Sequence, residues 1–136
     1  MIKYYINKFQ NGKSKLTFSG AKRPLYYYKQ TEQRINYIKG TRKTIGGTQA
    51  RYNTEQFTDH EILLENGDLI YLTTDGIIDQ PSPDRVRFGS PRLSDLLNDI
   101  GSKPIDQQKL LIEKALVDYQ KHEAQRDDVT FVGVKV

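Results

Sequence analysis

Two acidic turns, each at the end of an apolar run, restrict this chain more than any other feature. One turn is Asp75-Gly76, which follows the β-type run ending in Leu72-Thr73-Thr74, and the other is Asp127-Asp128, which directly precedes the apolar run Val129–Val134. Carboxylates at strand ends are the oxygen ligands that hard divalent cations such as Mg²⁺ and Mn²⁺ prefer. Either turn alone is also typical of an ordinary connection between elements, so their specificity lies in their joint occurrence, in this order.

Length and composition are those of a globular chain. The 136 residues suffice for one domain or a portion of one. Hydrophobic residues make up 36% and charged residues 28%, and no apolar run approaches the ~18 residues of a membrane span. Charges interrupt the first eight residues too often for a signal-peptide core, so a soluble, cytoplasmic chain is the default expectation. The absence of cysteine excludes disulfides, thiolate catalysis and zinc sites built on sulfur.

The charge is unevenly distributed. Residues 1–60 hold 12 Lys and Arg against 3 Asp and Glu, whereas residues 61–136 hold 9 against 14. The basic half contains many tyrosines, and three interpretations stay open: a solvated surface at sheet edges, a docking surface for a phosphoprotein, and a nucleic-acid surface. No nucleic-acid motif accompanies the charge, which disfavours the third.

Short β-type runs dominate the first part of the chain. Asn66-Gly67 separates the last two of them and is the strongest short hairpin signal, so we expect those two strands to pair and to place Asp75 at the far end of the second. The early runs are Leu16–Ala21, Leu25–Lys29, Ile35–Lys39, His60–Glu65 and Leu69–Thr74.

Two helical patterns and a final strand follow a proline-rich loop predicted over Gln80–Arg87. The first helix has Ser90 as its expected N-cap, with Pro91 at the first helical position and Gly101 at its end. The second is an amphipathic helix from about Asp106 to Glu123, and Val129–Val136 alternates as a strand. Early strands and late helices predict an α+β fold with an antiparallel sheet covered on one side.

Four stretches, in order, resemble one family. They are Leu16–Ala21 with Pro24-Leu25-Tyr26, Ile45-Gly46-Gly47, Gly67–Asp79 followed by Phe88-Gly89, and Asp127–Thr130. This set is similar to the C-terminal part of the metal-dependent type 2C protein serine/threonine phosphatases, in the bacterial branch named for SpoIIE and RsbU. The resemblance covers Leu16 to Val136, and its third and fourth stretches are the specific ones. It implies that the chain is one portion of an αββα sandwich of antiparallel sheets.

The resemblance also implies a reaction and a set of site residues. Two Mn²⁺ or Mg²⁺ ions in the complete domain activate a water that hydrolyses phosphoserine or phosphothreonine, on a substrate such as an anti-sigma-factor antagonist. Asp75 and Asp127 match the family's metal ligands. Asp128 is the alternative ligand, Asp79 supports the site or fixes the loop, and Gly76 leaves space beside the ions. His60 and His122 are better explained as a residue at the end of a strand and a cation at a helix C-terminus.

One element of the family pattern is not found. In complete phosphatases the carboxylate that bridges both metals lies in an upstream Gly-Asp-x-x-Gly motif, and nothing in residues 1–60 matches it. We therefore expect residues 1–136 to be the C-terminal portion of a longer phosphatase domain and to be inactive alone. A regulatory or binding module with the phosphatase fold is the alternative, and a basic nucleic-acid-binding domain is a more distant one.

A portion of a sandwich would expose apolar sheet surface, so we expect self-association through the tyrosine-rich strands Leu25–Lys29 and Ile35–Lys39.

Overall fold

Two antiparallel sheets form the framework of a computed structural model that describes residues 2–8, 12–46 and 56–136. The first sheet has the strand order β1-β2-β5 and the second the order β4-β3-β6-β7. The strands within the described residues are β1 (Ile2–Lys8), β2 (Lys13–Gly20), β3 (Leu25–Lys29), β4 (Arg34–Ile38), β5 (His60–Glu65), β6 (Leu69–Thr73) and β7 (Phe131–Lys135).

The two sheets pack face to face because successive side chains along their strands alternate between the two faces of each sheet. In β2 the side chains of Leu16 and Phe18 are fully buried between the sheets, while those of Lys15 and Thr17 point to the other side. The core between the sheets comprises Leu16, Phe18, Leu25, Ile62, Leu64 and Ile70. Removal of this apolar surface from water is the main force that stabilises the sandwich.

Helices cover the outer face of the four-stranded sheet. They are α1 (Gly76–Asp79), α2 (Gly89–Ile100) and α3 (Ile105–Gln120). Their apolar residues form a second core with the sheet, which includes Tyr26, Tyr28, Tyr71, Ile77, Leu93, Leu97 and Ile112. Gly101 ends α2 with a φ of −59°, so it is not a left-handed cap. A Cβ there would lie 2.3 Å from the Tyr28 ring, and close packing is therefore the reason for glycine.

The predicted α+β fold is confirmed, with small shifts in element ends. Strands β3 and β5 have the predicted bounds, and the Gln80–Arg87 segment is a loop closed by a bridge between Pro81 and Arg87. Helix α2 begins at Gly89, before the expected cap at Ser90, and Phe88 stands at its N-cap without a side-chain hydrogen bond. Strand β1 was not predicted. The stretch Ile45-Gly46-Gly47 is described only in part, because Gly47 lies outside the described residues.

The predicted hairpin between His60–Glu65 and Leu69–Thr74 is wrong. Strand β5 pairs with β2 in one sheet, and β6 pairs with β3 and β7 in the other, so the Asn66-Gly67 turn crosses between the sheets. Both edges of β6 are already occupied. The buried carboxylate of Asp68 fixes the crossing, because it accepts hydrogen bonds from the backbone N–H groups of Gln30 at 3.0 Å and Glu65 at 2.9 Å. Asp68 is therefore a structural residue.

Two expectations about exposed surface are also corrected. Strand β3 is an inner strand, and Tyr26 and Tyr28 are buried in the core, so this strand cannot serve as a contact for a second chain. The outer face of β2 and β5 is largely polar rather than apolar, with Lys15 and Glu61 paired across it at 2.9 Å. Among the described residues, no helix is long and apolar enough to cross a membrane.

Candidate metal centre

Asp75 stands where β6 ends and the short helix α1 begins. The strand holds Asp75 at one end of the sheet. The backbone carbonyl of Asp75 accepts a hydrogen bond from the Asp79 N–H at 2.9 Å. The Asp75 side chain is 34% exposed, so solvent and ions reach a carboxylate whose backbone is fixed on both sides.

The Asp127-Asp128 turn lies against the Asp75 turn. The Thr74 hydroxyl donates to the carbonyl oxygen of Asp128 at 2.9 Å and accepts from the Thr130 N–H at 3.0 Å. The Thr74 N–H donates in turn to the carbonyl of Thr130 at 3.0 Å. Three hydrogen bonds through one threonine thus join the two acidic turns, which are more than 50 residues apart in sequence. Thr74 was not among the predicted site residues.

Gly76 makes this approach possible. A Cβ on Gly76 would lie 2.4 Å from the carbonyl oxygen of Asp128 and 2.9 Å from its carbonyl carbon. Such contacts are too short for any side chain, so only glycine allows the two turns to touch. The predicted reason for Gly76 was space beside metal ions, whereas the contact that requires it here is the Asp128 backbone.

The Asp127 side chain is exposed and held locally. Its Oδ1 accepts the backbone N–H of Asp128 at 2.8 Å, and its carbonyl accepts the side-chain amide of Gln125 at 2.9 Å. Asp128 is also exposed, and the Asp128 backbone is the part that contacts the Asp75 turn. The contact with the end of β6 is thus made by the backbone of this turn, and the side chains of both aspartates are exposed beside it.

A buried glutamine fixes the segment that leads into the Asp127-Asp128 turn. Gln80, at the end of α1, is fully buried, and its amide Nε2 donates to the carbonyl of Ala124 at 3.1 Å. Its Oε1 accepts the N–H of Arg126 at 3.3 Å. Because a buried amide without partners would be costly, Gln80 holds the 124–126 segment firmly beside α1. No local sequence signal identified Gln80, which was predicted as the first residue of the loop.

Asp79 points away from the two turns toward the loop. It forms an ion pair with Arg87 at 3.0 Å, and both side chains are well exposed. The loop itself is anchored by Tyr119 of α3, whose hydroxyl donates to the carbonyls of Val86 and Arg87. The loop-fixing role for Asp79 stays a prediction, to which the contact with Arg87 is relevant.

Arg23 is a residue of this site that sequence reasoning missed. Its guanidinium Nη2 forms an ion pair and hydrogen bond with Asp75 Oδ2. The two side chains are 33% and 34% exposed, and exposed pairs of this kind contribute roughly 0–1 kcal/mol. Arg23 precedes Pro24 in a loop, and nothing local in the sequence relates it to Asp75.

The oxygen donors fit part of a shell for a hard divalent cation. The Asp75 turn and the Asp127-Asp128 turn touch through their backbones, and both carry carboxylates of the kind that such a cation prefers. Within the described ranges, however, no group of three or more His, Cys, Asp or Glu side chains is close enough to hold an ion. His60 begins β5 in the other sheet, and His122 follows the end of α3, as expected. Water or further residues would have to complete the shell.

Known proteins share this arrangement of elements. A family model for Stage II sporulation protein E (SpoIIE) matches residues 4–136. The SiaA-PP2C domain of Pseudomonas aeruginosa is 31% identical, with a TM-score of 0.78, and the match covers 90% of this chain and 46% of that chain. No curated protein sequence matches significantly.

Two further solved structures share the fold at lower identity. The PP2C phosphatase domain of SpoIIE from Bacillus subtilis, with a fragment of its regulatory domain, is 19% identical with a TM-score of 0.69, over 90% of this chain and 34% of that one. The RsbU and RsbW domains of a Mycobacterium tuberculosis protein are 22% identical with a TM-score of 0.68, over 89% and 32%. The chain thus spans half or less of the length of each. Because the family model matches almost every residue, the chain belongs to the SpoIIE family of PP2C-type phosphatase domains.

Proposed function

We propose that residues 1–136 are the C-terminal portion of a Mn²⁺- or Mg²⁺-dependent protein serine/threonine phosphatase domain. The substrate would be phosphoserine or phosphothreonine on a bacterial signalling protein, such as an anti-sigma-factor antagonist. Family membership supports the reaction class. The observation that carries the proposal for this chain is the contact between the two acidic turns, which depends on Gly76 and Thr74.

Each residue of the site has a distinct task in this proposal. Asp75 and Asp127 would hold the ions, and two bound ions lower the pKa of a shared water and neutralise phosphoryl oxygens. Thr74 and Gln80 keep the second turn in place, so that the carboxylates do not have to be ordered when an ion binds. Arg23 neutralises Asp75 through a partly exposed pair, which a divalent cation would displace at little cost.

The proposal predicts a specific dependence on upstream residues. Without a carboxylate that bridges both ions, the short metal separation that generates the nucleophile cannot be maintained. The 136-residue chain should therefore hydrolyse p-nitrophenyl phosphate little above background in Mn²⁺. Extension by upstream coding sequence that contains a Gly-Asp-x-x-Gly motif should give Mn²⁺-dependent turnover, which Asp75→Asn abolishes. Robust turnover by the chain alone would show that Asp79, Asp128 or another residue supplies the bridge.

A second candidate is a regulatory or binding module with the phosphatase fold. The Arg23–Asp75 pair favours it, because an arginine can permanently replace the charge of an absent cation. This candidate predicts that the extended protein is inactive as well and that Arg23→Gln does not change Mn²⁺ affinity. The phosphatase proposal predicts the opposite for both, with tighter Mn²⁺ binding once the competing guanidinium is removed.

A further inference from the structure

A basic groove lies on the surface beside the Arg23–Asp75 pair. It has a volume of about 390 Å³ and is lined by ten residues, among them Lys22, Tyr37, Lys39, Arg42, Ser90 and Ser94. Three of the ten carry a positive charge, and no acidic side chain lines the groove within the part of the chain that the structure describes. The groove therefore concentrates part of the excess positive charge of residues 1–60 in one place.

Two loops contribute the charged residues of the basic groove, and they are fixed to each other, while strands β3 and β4 and helix α2 supply the rest of the lining. The Lys22 N–H donates to the Thr41 carbonyl at 2.8 Å, and the Thr41 N–H donates to the Gly20 carbonyl at 2.7 Å. A Cβ on Gly20 would lie 2.5 Å from the Arg23 carbonyl oxygen, and a Cβ on Gly40 would lie 2.5 Å from the same atom. Two glycines thus allow the loops to touch along their backbones. The lysines project from a rigid support, which lowers the entropy cost of binding.

The chemistry of the lining suits an anionic peptide. Lys22 and Lys39 are exposed, and the hydroxyls of Ser90 and Ser94 add neutral donors on the opposite side. Tyr37 is 55% exposed and offers an apolar ring on which a peptide backbone can pack. The neighbouring Tyr26 is buried, which raises its pKa, and its hydroxyl bonds to Ser90, so it shapes the floor and does not contact the ligand.

The basic groove and the candidate metal centre share the loop of residues 22–24. Lys22 and Pro24 line the groove, and Arg23 between them reaches Asp75. A peptide in the groove would therefore present its next residues to the acidic turns. The positive charge of the groove therefore favours the binding of peptide segments in which acidic residues flank the phosphorylated side chain.

We propose that the basic groove binds the acidic residues that flank a phosphoserine or phosphothreonine in the protein substrate. The part of this proposal that concerns phosphoserine rests on the proposed phosphatase function. The groove favours a peptide over a nucleic acid because, among the described residues, its lining presents one well-exposed aromatic ring, Tyr37. Single-stranded nucleic acids instead bind to successive aromatic platforms.

Fluorescence anisotropy with the 136-residue chain tests the proposal in metal-free buffer. The probe is a fluorescein-labelled peptide with one phosphoserine between aspartates and glutamates. The test variant is Lys22→Glu with Lys39→Glu. The matched control is Lys103→Glu with Lys135→Glu, two exposed lysines outside the groove. Both double variants change the net charge equally, so a difference between them reports position and not total charge.

The expected result is binding of the peptide by the wild-type chain, weakened about tenfold or more in the groove variant and by less than about threefold in the control. Binding should also weaken with added salt. No binding, or equal loss in both variants, would overturn the proposal. Tighter binding of a single-stranded oligonucleotide of equal charge would overturn it in favour of a nucleic-acid surface. The same groove variant should still bind Mn²⁺, at least as tightly as the wild-type chain because the added negative charge attracts the cation, so failure of the groove and failure of the metal centre are distinguishable.

Discussion

Replacement of Gly76 by alanine tests the contact on which the candidate metal centre depends. The added methyl group would stand 2.4 Å from the Asp128 carbonyl oxygen and 3.0 Å from Val129 Cγ2. The nearest atom belongs to the backbone of a segment that Thr74 and Gln80 hold in place, so a change of side-chain rotamer cannot relieve the clash. The Asp75 turn and the Asp127-Asp128 turn must then separate.

The size of the effect follows from two opposing contributions. Overpacking in a constrained position costs about 1–3 kcal/mol, and the lower flexibility of alanine in the unfolded chain returns about 0.4–1 kcal/mol. The net loss should be about 1–2 kcal/mol, which for a chain of 136 residues lowers Tm by roughly 3–7 °C. Mn²⁺ affinity should fall together with stability, because the ligands move apart.

Urea unfolding followed by circular dichroism measures the change, with Gly133→Ala as the matched control. A Cβ on Gly133, in strand β7, would meet the Tyr71 ring at 3.5 Å and Ile105 at 3.8 Å, which are ordinary contacts. The control should therefore be neutral or slightly stabilising. Gly76→Ala at or above wild-type stability would refute the proposed contact, because it would mean that the two acidic turns do not touch.

Two further predictions concern stability and assembly. The buried Tyr71 hydroxyl donates to Gln108 at 2.7 Å, and burial raises the pKa of Tyr71, whereas an unfolded tyrosine titrates near pH ~10. The free energy of unfolding should therefore fall as the pH rises above ~10, since Tyr71 loses its proton first in the unfolded state. In urea unfolding, Tyr71→Phe should show a shallower fall with pH. The variant should also lose about 1–3 kcal/mol of stability at neutral pH. The edge strands β4 and β7 expose Tyr37, Val132 and Val134, so we still expect the chain to self-associate. Sedimentation velocity should show association that increases with concentration and is weakened in Val132→Lys. A strict monomer at high concentration would contradict this expectation.

The sequence predicted features that depend on local signals. Short β-type runs between turn residues located β3 and β5, and the acidic turns marked the ends of apolar runs. The association of Asp75 with the Asp127-Asp128 turn came from the family resemblance and not from spacing. The glycine at position 76 was also recognised, although its neighbour was misidentified, because no local pattern reveals which backbone will lie against it.

The features that could not be predicted depend on contacts between distant residues. An Asn-Gly turn indicates a reversal of direction but not which sheet the next strand joins, and that outcome depends on Asp68 binding Gln30 and Lys29. The Arg23–Asp75 pair joins a loop to a strand end in the same way. Gln80 appeared as an ordinary loop residue, since its burial arises only when the 124–126 segment returns to it.

Titration of the chain with Mn²⁺ tests the central claim most directly. Calorimetry or water proton relaxation should show weak binding to the wild-type chain, because the two turns supply part of a coordination shell and water supplies the rest. Binding should be lost in Asp75→Asn with Asp127→Asn and retained in Asp95→Asn with Asp99→Asn, which removes two exposed carboxylates from α2. Undiminished Mn²⁺ binding by the Asp75, Asp127 double variant, or equal loss in both double variants, would contradict the assignment of these two aspartates as metal ligands.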